Sequence, residues 1–207
     1  MKFYFDHVYN PVYDFIVTQI APYQRLQQSC IEKLELKEGD KILCAGVGTG
    51  NEILRILQMK PNIQIVGIDT SSTALRKAQR KAQKQGKQIE TRLMDVQKLE
   101  FADGSFDKAL CVHVTDFVPD TAKASSEIYR VLKRGGNFTM TFPSAKEDLS
   151  FGINVIGDAI RYHIKAKKFH RIPLILVSTL LGALVYFPFL FRSERRFYSK
   201  SELEKLF

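Results

Sequence analysis

The chain is poor in the residues that build metal centres or disulfide frameworks. Its 207 residues hold three cysteines, and Cys30, Cys44 and Cys111 stand far apart, at no spacing that suits a metal. They read most simply as small apolar fillers in one helix and two strands, since a thiol chemistry would want several cysteines converging. No metal is expected. After Met1-Lys2-Phe3-Tyr4-Phe5-Asp6 there is no signal-peptide pattern, and with so few cysteines this predicts a reducing, cytoplasmic setting. Charge is missing altogether from Ile172 to Phe191. The net charge of +9 is unevenly spread: residues 151–207 carry ten Lys and Arg against four Asp and Glu, a net of +6. With 45% hydrophobic residues the chain can bury an ordinary core, and its length suits one α/β unit.

What the sequence does have is a glycine-rich turn after a short apolar run. Residues Ile42 to Gly50 read Ile-Leu-Cys-Ala-Gly-Val-Gly-Thr-Gly, and Ile63 to Asp69 read Ile-Gln-Ile-Val-Gly-Ile-Asp. Such glycines let the backbone turn sharply and approach a ligand that a Cβ would hold off. A lone carboxylate at the tip of the next strand offers two acceptor oxygens in one plane, which suits the paired hydroxyls of a ribose. A dinucleotide site would space its glycines Gly-x-Gly-x-x-Gly. The tighter Gly46-x-Gly48-x-Gly50 resembles motif I of the class I S-adenosylmethionine (SAM) methyltransferases.

The resemblance continues through Leu93-Met-Asp95-Val96, Ser105-Phe-Asp107, Val118-Pro-Asp120, Glu127-Ile-Tyr-Arg-Val-Leu-Lys-Arg-Gly135-Gly136 and Phe138-Thr-Met-Thr-Phe142. Over roughly residues 35 to 145 it is similar to the methyltransferase type 11 family, which includes quinone-biosynthesis enzymes. Several motifs in order are far more specific than one glycine loop, which alone would suit a turn in an unrelated α/β domain.

Local signals alternate helix and strand, so the fold class is α/β: a Rossmann-like, mostly parallel sheet with helices on both faces. Strands are expected at Asp40–Ala45, Ile63–Ile68, Gln88–Met94, Asp107–His113 and Asn137–Phe142, and helices at Pro22–Leu36, Asn51–Met59, Thr70–Gln85 and Thr121–Leu132. Arg76, Lys77, Arg80, Lys81 and Lys84 would give the third of these helices a basic surface, either solvated or in contact with RNA. Three regions follow: an N-terminal lid at 1–35, a SAM-binding core at 36–145, and an apolar, basic-flanked region at 146–207. Phe197 to Phe207 looks like the start of the helix that precedes two final strands of the fold, for which no sequence is evident.

The resemblance implies a cofactor site. Gly46, Gly48 and Gly50 would pass under the amino-acid part of SAM, Asp69 followed by Thr70 would hold the ribose, and Asp95 with Val96 would hold the adenine. The backbone near Cys111 would face the ammonium group. Cys44 departs from the family, which has Asp or Glu there to help hold that ammonium, and a thiol is a weak acceptor. Candidate general bases are His113 and Asp116 beyond the fourth strand, with a satisfied structural histidine as the plainer account of His113. No Asn-Pro-Pro-Tyr or Asp-Pro-Pro-Tyr follows that strand, so methylation of nucleic-acid bases is not expected.

Both ends of the chain bear on the substrate. Phe5-Asp-His-Val-Tyr9-Asn-Pro-Val-Tyr13-Asp14 looks like the aromatic-rich lead segment of quinone and phospholipid methyltransferases, which makes Tyr9 and Tyr13 lid candidates, although such tyrosines can equally pack a helix onto the sheet. The uncharged run Ile172–Phe191 has the length of a bilayer span and lies between Lys165, Lys167, Lys168 and Arg171 on one side and Arg192, Arg195 and Arg196 on the other. It could line the substrate site against a membrane surface, span the membrane, or pack as core or as an oligomer contact. The expectation is a SAM-dependent methyltransferase acting on a lipophilic small molecule (a quinone precursor, isoprenoid or phospholipid headgroup) at the cytoplasmic face of a membrane, with no nucleic-acid partner. The alternatives are a soluble natural-product O- or N-methyltransferase and a degenerate SAM-binding interaction module.

Overall fold

The computed structural model describes residues 2–60, 62–142, 149–190 and Tyr198. Strands β1 (Lys41–Ala45), β2 (Gln64–Asp69), β3 (Glu90–Leu93), β4 (Phe106–Cys111) and β5 (Leu132–Met140) form one parallel sheet in the order β3-β2-β1-β4-β5. Successive side chains of β1 alternate between two apolar layers. Ile42 and Cys44 enter the layer under α3 (Ala21–Glu32), α4 (Asn51–Met59) and α5 (Ser72–Lys84), while Leu43 and Ala45 enter the layer under α6 (Thr121–Val131). A strand buried on both faces must be apolar on both, which is why Ile42–Ala45 carries no charge. The strand order reverses between β1 and β4, and a crevice opens there at the C-terminal strand ends.

Caps and glycines set where the elements begin. Ser71 Oγ accepts from the Ala74 amide at 3.1 Å and starts α5, two residues later than Thr70, and Asp120 Oδ1 does the same for Lys123 at the start of α6. Gly50, at φ +83°, opens α4, and a Cβ there would come within 2.8 Å of Ala78 Cα, so glycine is what lets α4 begin against α5. Four of the five strands start and end within about two residues of expectation. β5 instead begins at Leu132, which already pairs with Phe106; the chain then bulges through Gly135 and rejoins β4 with Asn137 opposite Lys108. Among the described residues no sixth or seventh strand follows.

Helical segments cover the crevice and extend beyond it. α1 (Lys2–Tyr4), a π-helical stretch Phe5–Tyr9 and α2 (Asn10–Gln19) follow one another, and α7 (Leu149–Lys165) and α8 (Ile172–Leu190) follow the sheet. α8 docks on α2. Ile175, Ser178 and Val185 are buried, Gly182 faces Ile16, and the Tyr4 hydroxyl donates to the Val185 carbonyl. The opposite side stays bare, with Leu180 64% and Leu184 63% exposed beside Leu176 and Val177. Among the described residues no helix is long and apolar enough to cross a membrane. The expected helix start at Phe197 and the flanking Arg192, Arg195 and Arg196 lie outside the described residues, apart from Tyr198, whose hydroxyl pairs with that of Thr121.

Candidate active site

At the C-terminal ends of β1, β2 and β4 lies a cavity of about 340 Å³. Its floor is the turn after β1. Gly46 has φ +64°, and a Cβ there would meet Val114 Cγ2 at 2.2 Å, so the turn excludes any side chain at this position. Asp69 is fixed from two directions: Oδ2 accepts from the Gly48 amide and Oδ1 from the Ser71 amide, each at 2.8 Å. Burial pushes its carboxyl pKa up while these amides pull the other way. Met94, Val96, Val112 and Val118 form an apolar wall, with Asp95 at its rim accepting from the Gln97 amide at 2.9 Å.

An aromatic roof closes the cavity. Tyr9 and Tyr13 stack at 5.1 Å, and Phe5 meets Phe117 edge-on at 5.3 Å. The roof is tied down by polar contacts to the helices beneath. Asp14 pairs with Lys81 at 2.8 Å and accepts from the Thr49 hydroxyl at 2.6 Å; Lys77 Nζ donates to the Asn10 carbonyl at 2.6 Å; Asp6 accepts from the Ser71 and Thr73 hydroxyls. The expected basic surface of α5 therefore divides. Arg76, Arg80 and Lys84 are exposed, whereas Lys77 and Lys81 hold the N-terminal segment.

His113 sits at the inner end with φ +56°. Its amide donates to Thr141 Oγ1 at 2.8 Å, and its ring stacks on Tyr23 at 4.2 Å, 11° from parallel. Nε2 is buried and has no hydrogen-bond partner among the described residues. Burial lowers the imidazole pKa, with the Asp116 carboxylate opposing, which favours the neutral ring at pH 7.

The structure brings Gly46, Gly48, Asp69, Thr70, Asp95 and Val96 to the cavity wall, and with them Tyr9, Tyr13 and His113. Three other candidates stand elsewhere. Gly50 is taken up by the packing of α4 on α5. Cys111 lies in the core, with its carbonyl accepting from the Thr141 amide at 3.0 Å, so the neighbouring Val112 reaches the cavity in its place. Asp116 is on the 3-10 turn Thr115–Phe117, from which Phe117 and not the carboxylate lines the cavity.

A further lining residue, Glu52, was not among the candidates. Glu52, in the first turn of α4, has its carboxyl pKa pushed up by burial and accepts from Gln27 Nε2 at 2.5 Å. Among the described residues no cation pairs with it. The Cys44 thiol, out of the cavity and 2% exposed, is pushed up by burial and further by the Glu52 carboxylate beside it. A carboxylate is therefore present next to the strand tip where Cys44 lacks one, supplied from the helix. The only sequence hint was an acid two residues after Gly50, on a helix face that turns inward.

The comparisons with known proteins agree on one family. A profile described as a methyltransferase domain (type 11) matches residues 43–140. The chain is 30% identical over 146 residues to the uncharacterized methyltransferase YdaC of Bacillus subtilis (strain 168), covering 67% of this chain and 78% of that one. It is 28% identical over 138 residues to a phosphatidylethanolamine N-methyltransferase of Cereibacter sphaeroides, covering 66% and 65%. Against methyltransferase phqN of Penicillium fellutanum it is 30% identical over 129 residues, 58% of this chain but only 39% of that longer protein. The solved (4+2)-cyclase SpnF superposes with a TM-score of 0.60 over 89% of this chain and 85% of that one, at 20% identity, a likeness of fold alone.

Proposed function

The chain belongs to the class I SAM-dependent methyltransferases, and on that premise we propose that it methylates a lipophilic small molecule, such as a quinone precursor, isoprenoid or phospholipid headgroup, at a membrane surface. The residues present fit SAM. Asp69 offers an anchored carboxylate for a ribose, the Met94, Val96 and Val118 wall offers an apolar slot for an adenine, and Glu52 offers a half-buried carboxyl group for an ammonium. When bound, SAM supplies a methyl group on a sulfonium, which is already an activated leaving group. The protein has then to hold the acceptor in line, keep water out and, where the acceptor is protonated, take its proton. The roof of Phe5, Tyr9, Tyr13 and Phe117 excludes water. His113 Nε2, neutral and unpartnered, accepts the proton.

The observation that carries the lipophilic reading is α8. Its inner side packs on α2, which leads into the roof, while its outer side exposes Leu176, Val177, Leu180 and Leu184. Lys165, Lys167, Lys168 and Arg171 are exposed just before it. An apolar strip beside cations suits an anionic bilayer, and an acceptor dissolved in that bilayer would meet the roof directly. The similar phosphatidylethanolamine N-methyltransferase is named for a lipid acceptor, which supports the same class. The test is transfer of labelled methyl from SAM to fractionated cell extract, run alongside flotation with anionic vesicles. We expect label in the lipid fraction, and vesicle binding that Leu180→Glu with Leu184→Glu removes while affinity for S-adenosylhomocysteine (SAH) is kept. Label confined to water-soluble acceptors, in a protein that ignores vesicles, would leave the soluble alternative. SpnF carries this fold under the name of a cyclase, so a chain that fails to bind SAH would return the degenerate-module reading.

A further inference from the structure

A second concavity, of about 680 Å³, lies between α3, α4 and the end of α7 with the 3-10 turn Phe169–Arg171. Its lining gathers Arg25 from α3, Arg55 from α4, and Lys168 and Arg171 from the approach to α8. Among the described residues Glu32 is the one acid in the lining, and it accepts from Gln28 Nε2 at 2.9 Å. Among the described residues none of the four cations forms an ion pair. His163 adds an unused polar atom: Nδ1 is buried without a partner among the described residues. Burial lowers its pKa, and Lys168, Arg171 and His170 lower it further.

Four cations from three elements against a single acid repel one another, and a bound anion among them would relieve that repulsion. Arginine fits that role by geometry, since its planar donor fork matches the oxygens of a phosphate. Arg171 also immediately precedes the apolar strip of α8, so the cleft stands at a boundary between cationic and apolar surface, the arrangement of a phospholipid headgroup above its acyl chains. We infer that this cleft binds a phosphate group, that of a membrane lipid being the source the adjoining strip favours. The choice of source rests on the membrane reading above, but the cleft itself does not.

Two variants of equal charge change separate a built site from a diffuse field. Arg25→Gln with Arg55→Gln removes cations inside the cleft and away from the α8 flank, whereas Lys165→Gln with Lys167→Gln removes two exposed cations outside the lining. A diffuse field predicts the same loss for both pairs, roughly five-fold per residue near an anionic surface. The inference predicts that binding to vesicles of phosphatidylcholine with phosphatidic acid falls at least about tenfold further for the cleft pair than for the outer pair. Inorganic phosphate is the second probe, read by the His163 ring signals in NMR. Phosphate should move them and raise the His163 titration in the native chain and leave the cleft pair unmoved. A response to phosphate without vesicle binding keeps the site and assigns it a soluble source. Equal losses for the two pairs, or a His163 signal blind to both phosphate and vesicles, overturns the inference, and methyl transfer enters neither readout.

Discussion

Glu52→Gln probes the cofactor site at its least expected point. An isolated ion pair at about 4 Å and an effective dielectric of about 20 is worth about 4 kcal/mol before desolvation of the ligand cation is subtracted. What remains is the range for a hydrogen bond to a charged group, about 1.5–3 kcal/mol, or about 12- to 160-fold in affinity. The amide keeps an oxygen for Gln27 Nε2, so the fold should tolerate the change. The assay is calorimetry with two ligands: SAH, which carries the ammonium, and 5′-methylthioadenosine, which keeps the adenosine and sulfur but lacks the amino-acid part. The variant should lose SAH affinity by that factor and bind methylthioadenosine as the native chain does. Burial raises the Glu52 pKa in the folded state, so its contribution to stability is full below the unfolded value and is lost as pH rises through the folded one. Glu52→Gln should therefore be at least as stable as the native chain at pH 7 and should flatten this part of the pH dependence. Binding has the opposite sign, because SAH affinity in the native chain should fall as acid protonates Glu52. Placing a carboxylate back through Cys44→Asp in the Glu52→Gln background should recover part of the SAH affinity. Equal losses for the two ligands, or no loss for SAH, would refute the assignment of Glu52 to the ammonium.

Asp69→Ala should differ in pattern, weakening SAH and methylthioadenosine alike by about 1.5–3 kcal/mol because both carry the ribose. It should also lower the melting temperature by a few degrees, about 1–3 kcal/mol, since the Gly48 and Ser71 amides lose their acceptor; a folded variant with unchanged affinity removes the ribose assignment. His113→Gln should leave SAH affinity intact and suppress methyl transfer about 10²- to 10⁴-fold if the acceptor must be deprotonated. Because burial depresses the His113 pKa, the native rate should hold to lower pH than a free imidazole would allow and then fall as the ring protonates; a pH-independent rate means that His113 is not the base.

The glycine turn and Asp69 were legible because their chemistry needs fixed residue types at short, fixed spacing, and the parallel sheet was legible because strands buried on both faces are apolar throughout. Residues that reach the site from helices were not. Glu52 and Tyr23 each read as an ordinary helical residue and Asp14 only as part of the lead segment, and their partners Gln27, His113 and Lys81 lie far along the chain. Lys77 and Lys81 read as members of a solvated basic face because helical periodicity identifies a polar side without saying what packs there, and here the N-terminal segment does. β5 began early for a related reason: Leu132 looked like the end of a helix, whereas it pairs with Phe106, and the segment through Gly135 becomes a bulge inside the strand.

α8 is the extreme case. It is apolar on every side, so its pattern names no inner face, and length alone suggested a membrane span. Packing breaks that symmetry: Ile175, Ser178 and Val185 lie a turn or two apart on the side that meets α2, where Gly182 faces Ile16. The leucines left outside are therefore those that two packed helices cannot reach. The inner side buries Ile175, Ser178 and Val185, whereas the outer one leaves Leu180 and Leu184 almost two thirds exposed, a costly feature that a covering bilayer, as proposed above, would offset.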